Sequence, residues 1–383
     1  MLTTFLTIFI ITVFLCLSTY VFYPFAIWLL GTLFPFKVQK EDITPTVSII
    51  IAAHNEAKNI KRKIENTLAL EYPKGKLEIL VGSDGSTDKT ATLVKKYADQ
   101  DIQLMDFKTN RGKTAVQNDL VKRSTGEILI LTDAASFLHS DALLKITPGF
   151  ADKRVGCVAG KMRFVDIDSN LTTQSQGLYW KYELKIRHWE SSLGRLIGVD
   201  GPLYAVRRNS YIPLEHNIIS DFITPLLILE QGKNVVFEPD ALVDEAPTSK
   251  AGQEFTTRRR ITLRGLVGLR AYGSKLLTPV THPLLFCQIV FHKVLRWFVG
   301  PLIIINFLSC MALLGHWLFN GIFVLYIIFG IAAVLGFVSE RLKLKIRLLT
   351  IPYYFSLVNM AATMGIIDFF RKKQAVTWKP VRE

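Results

Sequence analysis

The chain has 383 residues, half of them hydrophobic, and a formal charge of +14; this leaves room for one globular unit of ordinary size beside a few membrane helices and excludes a string of large domains. Cys16, Cys157, Cys287 and Cys310 are too scattered for a disulfide framework or a zinc cluster. Part of the basic excess flanks apolar stretches, as at Arg341, Lys343, Lys345 and Arg347, where membrane topology accounts for it. No aromatic-basic motif of a nucleic-acid module is present, so no nucleic-acid partner is expected.

Residues 2–34 are an almost uncharged apolar run, long enough to cross a bilayer and lacking the basic start and small-residue cleavage site of a secretory signal, so they are expected to stay as an anchor. From residue 46 to about 241, β-rich runs alternate with helical periodicity. Strands are expected at 47–53, 77–83, 102–107, 127–132, 155–158, 203–207 and 235–238, and helices at 57–70, 89–98, 114–122, 171–192 and 222–230. That alternation predicts an α/β domain with a largely parallel sheet, whose ligands bind in the loops beginning at Ala53, Ser83 and Thr132. Within 179–189 the aromatic residues Tyr179, Trp180, Tyr182 and Trp189 mix with Lys181, Lys185 and Arg187, which suits a helix at a lipid headgroup boundary or one packed on its own domain.

Beyond residue 251 the chain is first Arg-rich and then apolar. A basic amphipathic helix is expected at 286–297 and membrane segments at 298–314, 321–338 and 348–370. The last contains Pro352, Asn359, Gly365 and Asp368 and is the one expected to be broken or re-entrant. If it spans, Arg371-Lys372-Lys373 falls on the side that a basic cluster avoids, so its topology stays open. The expected division is an anchor at 1–36, a cytoplasmic catalytic domain at 37–280, and an interfacial helix, membrane helices and tail at 281–383.

Acids stand at three strand ends. Glu56 in A-A-H-N-E-A and Asp84 in V-G-S-D-G-S-T-D are placed to accept hydrogen bonds from a nucleoside, and His54 of the first turn is grouped with them. Asp84 read alone also fits an Asp-Gly turn, and Asn55 with Glu56 fits a helix start capped by Asn55. Asp133, after the apolar run I-L-I-L-T, can reach a divalent ion held by a diphosphate, or cap a helix. Asn110 to Thr114 is no Walker loop, since Phe107 stands where that motif needs glycine; Lys113 remains a phosphate contact or a solvated lysine. Asp221 reads as a helix N-cap or as the base that takes a proton from an attacking hydroxyl. Arg258, Arg259 and Arg260 are placed to meet a diphosphate or anionic lipid, or to form a basic surface.

Taken together and in order, these segments resemble the family 2 glycosyltransferases. The family's P-x-x-N-E pattern is similar to residues 46–56, its D-G-S-x-D to Asp84 through Asp88, its G-K-x-x-A/N to Gly112 through Asn118, and its metal-binding D-x-D to Asp133. Its catalytic E-D, followed by glycine, resembles Ser220-Asp221 with Gly232, and Gly201 before Tyr204 resembles the acceptor-side loop. The resemblance implies a GT-A fold (a Rossmann-like nucleotide-diphospho-sugar transferase domain), a uridine diphosphate sugar as donor, Mg2+ or Mn2+ at Asp133, and inversion with Asp221 as base. It places Trp180 and Gly201 on the acceptor side and His54, Glu56, Asp84, Lys113, Asp133 and Arg260 on the donor. The layout implies a plasma-membrane enzyme of exopolysaccharide or cell-surface glycan synthesis, with a lipid-linked or glycan acceptor, membrane lipids and an accessory subunit as partners. Ala135 replaces the second metal-binding aspartate, and residues 257–261 replace Q-x-x-R-W, which tilts the reading from a processive synthase to limited addition. Trp378 and Arg382 resemble a synthase tail and tilt it back. A catalytically silent membrane partner is the reading from another class.

Overall fold

The computed structural model describes residues 1–165, 171–247, 250–342, 344 and 346–373. Strand β1 (Val47–Ala53) is buried along its whole length, because it lies between β2 (Leu77–Asp84) and β4 (Ile128–Asp133) and helices cover both faces. The two-residue period of a strand then divides its side chains. Val47, Ile49, Ile51 and Ala53 join Ile60 and Ile64 of α3 (Ile60–Leu68) on one face, whereas Ile50 and Ala52 join Val116 and Leu120 of α5 (Lys113–Arg123) on the other. With β3 (Ile102–Phe107), β5 (Ser136–Leu138), β6 (Val155–Phe164), β7 (Tyr204–Arg207) and β8 (Asn234–Glu245) the sheet runs in the order β3-β2-β1-β4-β7-β6-β8-β5. Helices α4 (Thr90–Lys95), α6 (Ala142–Ile146), α7 (Leu171–Ser191) and α8 (Ser220–Glu230) complete the layers.

The sheet is mixed, correcting the expectation of a largely parallel one. β7 enters antiparallel between β4 and β6, and β5 pairs antiparallel with β8. This matters for the site: because Tyr204 lies beside Leu131, the residues just before β7 arrive at the carboxyl end of β4, where Asp133 stands. β6 and β8 also run well past their expected ends, since Lys161, Arg163, Asp240 and Asp244 interrupt the apolar pattern while the ladder continues.

At the amino end α1 (Leu2–Leu17) and α2 (Tyr23–Leu33) form one helix, Leu2–Leu33, through a π turn at Ser18–Phe22 next to Pro24, which has no N–H to donate. Past α9 (Ala251–Leu276), α10 (Pro283–Gln288) and α11 (Leu295–Ala312) are joined by a second π turn, Ile289–Val294, into one helix, Pro283–Ala312. The expected separate interfacial helix is therefore the beginning of a span, and its Leu285 and Ile289 belong to the same core as α8. α12 (Trp317–Arg341) follows.

Leu2–Leu33, Pro283–Ala312 and Trp317–Arg341 are long and apolar enough to cross a membrane. Among the described residues two such helices, not three, lie in the carboxyl-terminal region. The remaining segment forms an unbroken helix, α13 (Thr350–Phe370), correcting the expectation of a break. It lies along α9: Tyr354 Oη donates to Glu254 at 2.6 Å near one end, and Asp368 pairs with Arg259 near the other. Gly365 permits this approach, since a Cβ there would stand 2.7 Å from the Arg259 carbonyl.

Candidate functional site

The turns after β1 and β2 are stitched together at the carboxyl edge of the sheet. Asn55 takes a left-handed conformation (φ 53°) and its Oδ1 accepts from Thr87 N at 2.8 Å, while His54 Nδ1 lies 2.6 Å from the Asp84 carbonyl. Asn55 is thus no helix cap; α3 begins only at Ile60. Asp88 Oδ2 accepts from Ala57 N at 3.0 Å, and Glu56 Oε2 accepts from Asn59 Nδ2 at 2.8 Å. These bonds hold the two acidic turns side by side.

The buried Asp84 carboxylate accepts from Arg111 N and Gly112 N, each at 2.8 Å. Gly112 has φ 93°, a conformation that favours glycine, and α5 starts from it with Lys113. Asp84 therefore organises the loop that aims Lys113, a structural task not foreseen for it. Lys113 Nζ forms an ion pair with Asp133.

Gly201 marks the point where the chemistry gathers. A Cβ there would lie 3.0 Å from Lys113 Nζ, 3.3 Å from Asp133 Oδ2 and 3.4 Å from Asp221 Oδ2. Residues from α5, the end of β4 and the first turn of α8 thus surround one small space that only glycine leaves open. Burial pushes the Asp221 carboxyl above its ordinary value; Lys113 and Arg264 oppose the shift and Asp133 adds to it. An acid so placed holds a proton more readily than a surface aspartate, which suits a base.

The three consecutive arginines diverge, as the helical rotation of α9 dictates. Arg258 pairs with Glu254 at 2.8 Å and Arg259 with Asp368, whereas Arg260 is within electrostatic reach of Asp221 and Asp133. Arg264, one turn on, donates to the Ile218 carbonyl at 2.6 Å and fixes the approach to α8.

The donor set bears on a divalent ion. No group of three or more His, Cys, Asp or Glu that could hold a metal occurs among the described residues, and Ala135 supplies no ligand. One carboxylate, Asp133, beside the open space at Gly201 fits an ion carried mainly by a diphosphate, as Mg2+ commonly is, and does not fit an all-protein cage.

A cavity of about 330 Å3 extends from Gly201 and Asp221, past Trp180 and Trp297, to Tyr20, Val358 and Ala362 of the helical region. Trp180 Nε1 donates to the Met162 carbonyl at 2.9 Å, which orients the ring on the wall. α7 is neither a free headgroup helix nor one packed on the sheet alone. Its Glu183, Arg187 and Glu190 are buried between the α/β layers and the helix Pro283–Ala312, where His292 Nδ1 lies 2.6 Å from Glu190.

Several residues at the site escaped the reading of the sequence. Lys63 is fully buried and donates to Thr132 Oγ1 at 2.8 Å and to the Ser136 carbonyl at 2.6 Å; Thr132 Oγ1 in turn donates to the Pro202 carbonyl at 2.7 Å, next to Gly201. The available signal was a lysine on the buried face of an amphipathic helix, beside Ile60, Ile64 and Thr67. Asp200 is buried and pairs with Arg187 at 2.7 Å, a contact no local pattern announces. Residues 166–170, and the Trp378 and Arg382 tail, lie outside the described residues.

Comparison with known proteins agrees with this geometry. The model of Glycosyl transferase family 2 matches residues 48–212. Beta-monoglucosyldiacylglycerol synthase of Nostoc sp. is 31% identical over 189 residues, covering 47% of this chain and 40% of that protein. Poly-beta-1,6-N-acetyl-D-glucosamine synthase of Staphylococcus epidermidis is 26% identical over 159 residues, covering 37% and 38%. The matches thus span half or less of these relatives. The mannosyltransferase PcManGT of Pyrobaculum calidifontis, solved with GDP-Man and Mn2+, shares the fold at a TM-score of 0.73 and 19% identity, over 96% of this chain and 100% of that one. Residues 48–212 thus carry the match to glycosyl transferase family 2, on a mixed GT-A sheet accompanied, among the described residues, by three helices of membrane-crossing length.

Proposed function

We propose that the chain is an inverting hexosyltransferase, moving a sugar from a nucleoside diphosphate donor to the hydroxyl of a membrane- or lipid-linked acceptor. The observation that carries this reading is the gathering of Lys113, Asp133 and Asp221 around Gly201 at the inner end of a cavity that reaches the helical region. Parallel strand ends are where such sheets bind nucleotides, and the turns at His54, Glu56 and Asp84 form the nucleoside side. Lys113 and Arg260 meet the diphosphate from the side of α5 and α9, and Asp133 would hold Mg2+ or Mn2+ beside it. When bound, the ion neutralises charge on the departing diphosphate.

In the transfer the acceptor oxygen bonds to the anomeric carbon as the bond from that carbon to the diphosphate oxygen breaks. The hydroxyl proton passes to Asp221, and because attack is opposite the leaving group the configuration inverts. Asp221 suits the task because burial favours its protonated form, and the cavity brings the acceptor to it from the helices. With three crossings, the sheet and Arg371-Lys372-Lys373 share a side, which we assign to the cytoplasm on the basic-residue rule. The departure from Q-x-x-R-W at residues 257–261 supports addition of one or a few sugars.

The test is release of nucleoside diphosphate by the purified full-length protein with Mn2+, a panel of uridine- and guanosine-diphosphate sugars and membrane lipid extract. Release is expected with one donor, and Asp221→Asn should lower it by roughly 10²–10⁴. No release from any donor, with Asp221→Asn indistinguishable from the parent, would instead support a catalytically silent partner.

A further inference from the structure

We propose that the cavity between Asp221 and the helical region is an acceptor site for an electrically neutral, hydroxyl-bearing lipid and that it discriminates against lipid phosphates, an inference that rests on the transferase reading above.

Charge on the wall is the argument. The lining carries four arginine or lysine side chains and five carboxylates, with His292 besides. Each of the four cations is already in an ion pair. Arg187 lies 2.7 Å from Asp200; Lys293 and Arg296 lie 3.3 Å and 2.7 Å from Glu183; Arg258 lies 2.8 Å from Glu254. A phosphate entering here would meet cations whose charge is already matched by neighbouring acids, so its own buried charge would go uncompensated, close to those carboxylates. That is the costly case for charges removed from water. An uncharged hydroxyl makes no such demand and finds acceptor oxygens in abundance.

The contrast with the donor side sharpens the point. There Arg260 makes no ion pair among the described residues and stands within electrostatic reach of Asp133 and Asp221, so a phosphate-ready cation is present at the sheet edge, whereas those of the acceptor cavity are paired. The rest of the wall explains why the neutral ligand is a lipid and not a free sugar. Phe164, Trp180, Phe222 and Trp297 give it an apolar body, and it continues to Tyr20, within the membrane-crossing helix Leu2–Leu33, and to Val358 and Ala362 of α13, which packs against α11 and α12. A ligand with an apolar chain and a small polar head matches that gradient, the head lying at Asp221.

The experiment uses full-length protein reconstituted in phosphatidylcholine vesicles carrying either 1,2-dioctanoylglycerol or farnesyl phosphate at equal mole fraction, with a soluble neutral trisaccharide as a third ligand. Binding is read as a saturable change in tryptophan emission that is lost in Trp180→Phe. The expected result is saturation by dioctanoylglycerol at a tenfold or greater lower fraction than farnesyl phosphate, and no response to the trisaccharide. Glu183→Gln, which releases Lys293 and Arg296, should narrow that preference; the comparison on the parent protein holds even if this variant does not fold. Equal or tighter binding of farnesyl phosphate, binding of the trisaccharide alone, or no saturable response to any of the three overturns the proposal. Nucleoside diphosphate release in the same vesicles separates the two readings: dioctanoylglycerol binding without release from any donor sinks the transferase and leaves the neutral-lipid site standing.

Discussion

A lysine enclosed by protein holds its proton less firmly than one in water, and Lys63 is such a case. Burial lowers its pKa from 10.5 to about 7, with Asp133 and Glu245 pulling the other way. Between those values the unfolded chain keeps a proton that the folded chain releases, so this group makes stability rise with pH across that window. Lys63→Met lacks the effect. The parent-minus-variant difference in unfolding free energy should therefore increase from about pH 7 towards pH 10, with a slope approaching about 1.4 kcal/mol per unit. A flat difference in detergent-solubilised thermal melts would contradict the burial. Asp84, Asp133 and Asp221 were legible as candidates because each stands at a strand end or a helix start. The part played by Lys63 was not, because its partners Thr132 and Ser136 are 69 and 73 positions away in the chain.

Among the elements, β7 does most to build the site. Running against β4, it delivers Gly201 to the space shared by Lys113, Asp133 and Asp221. Gly201→Ala requires no unusual backbone angle, so the fold should persist while the methyl group presses on Lys113 Nζ at 3.0 Å. Transfer efficiency should fall by roughly ten- to a hundredfold with an unchanged circular dichroism spectrum; unaltered kcat/KM would remove Gly201 from the site. The boundaries of β1 to β4 followed from the sequence to within a residue, and β1 and β4, buried on both faces, read as apolar runs. β5 did not, being three residues long, and α6 was missed beside it. The two π turns belong to the same scale: Tyr23 follows the first and donates to Glu190, and His292 of the second meets the same carboxylate, so α7 locks the two helices together.

For the whole molecule, the α/β layers and the helices of membrane-crossing length share one core. Leu276, Leu285 and Ile289 pack with the residues of α8, so a hinge between the two parts is not expected. The exposed apolar flanks of Leu2–Leu33 and Trp317–Arg341, among them Ile10, Phe14, Leu325 and Ile328, require lipid around them. The protein should stay in the membrane pellet on alkaline carbonate extraction, and release to the supernatant would rule out the crossings. Composition and local periodicity by themselves determined the α/β alternation, the acids at the strand ends and the apolar anchor, since each is expressed within a few neighbouring residues. Only the tertiary structure decided the direction of β7, the divergence of Arg258 to the cavity wall, Arg259 to Asp368 and Arg260 to within electrostatic reach of Asp133 and Asp221, and the place of α13 along α9. Those outcomes depend on contacts between residues far apart in the chain, and the spacing of neighbours does not encode them.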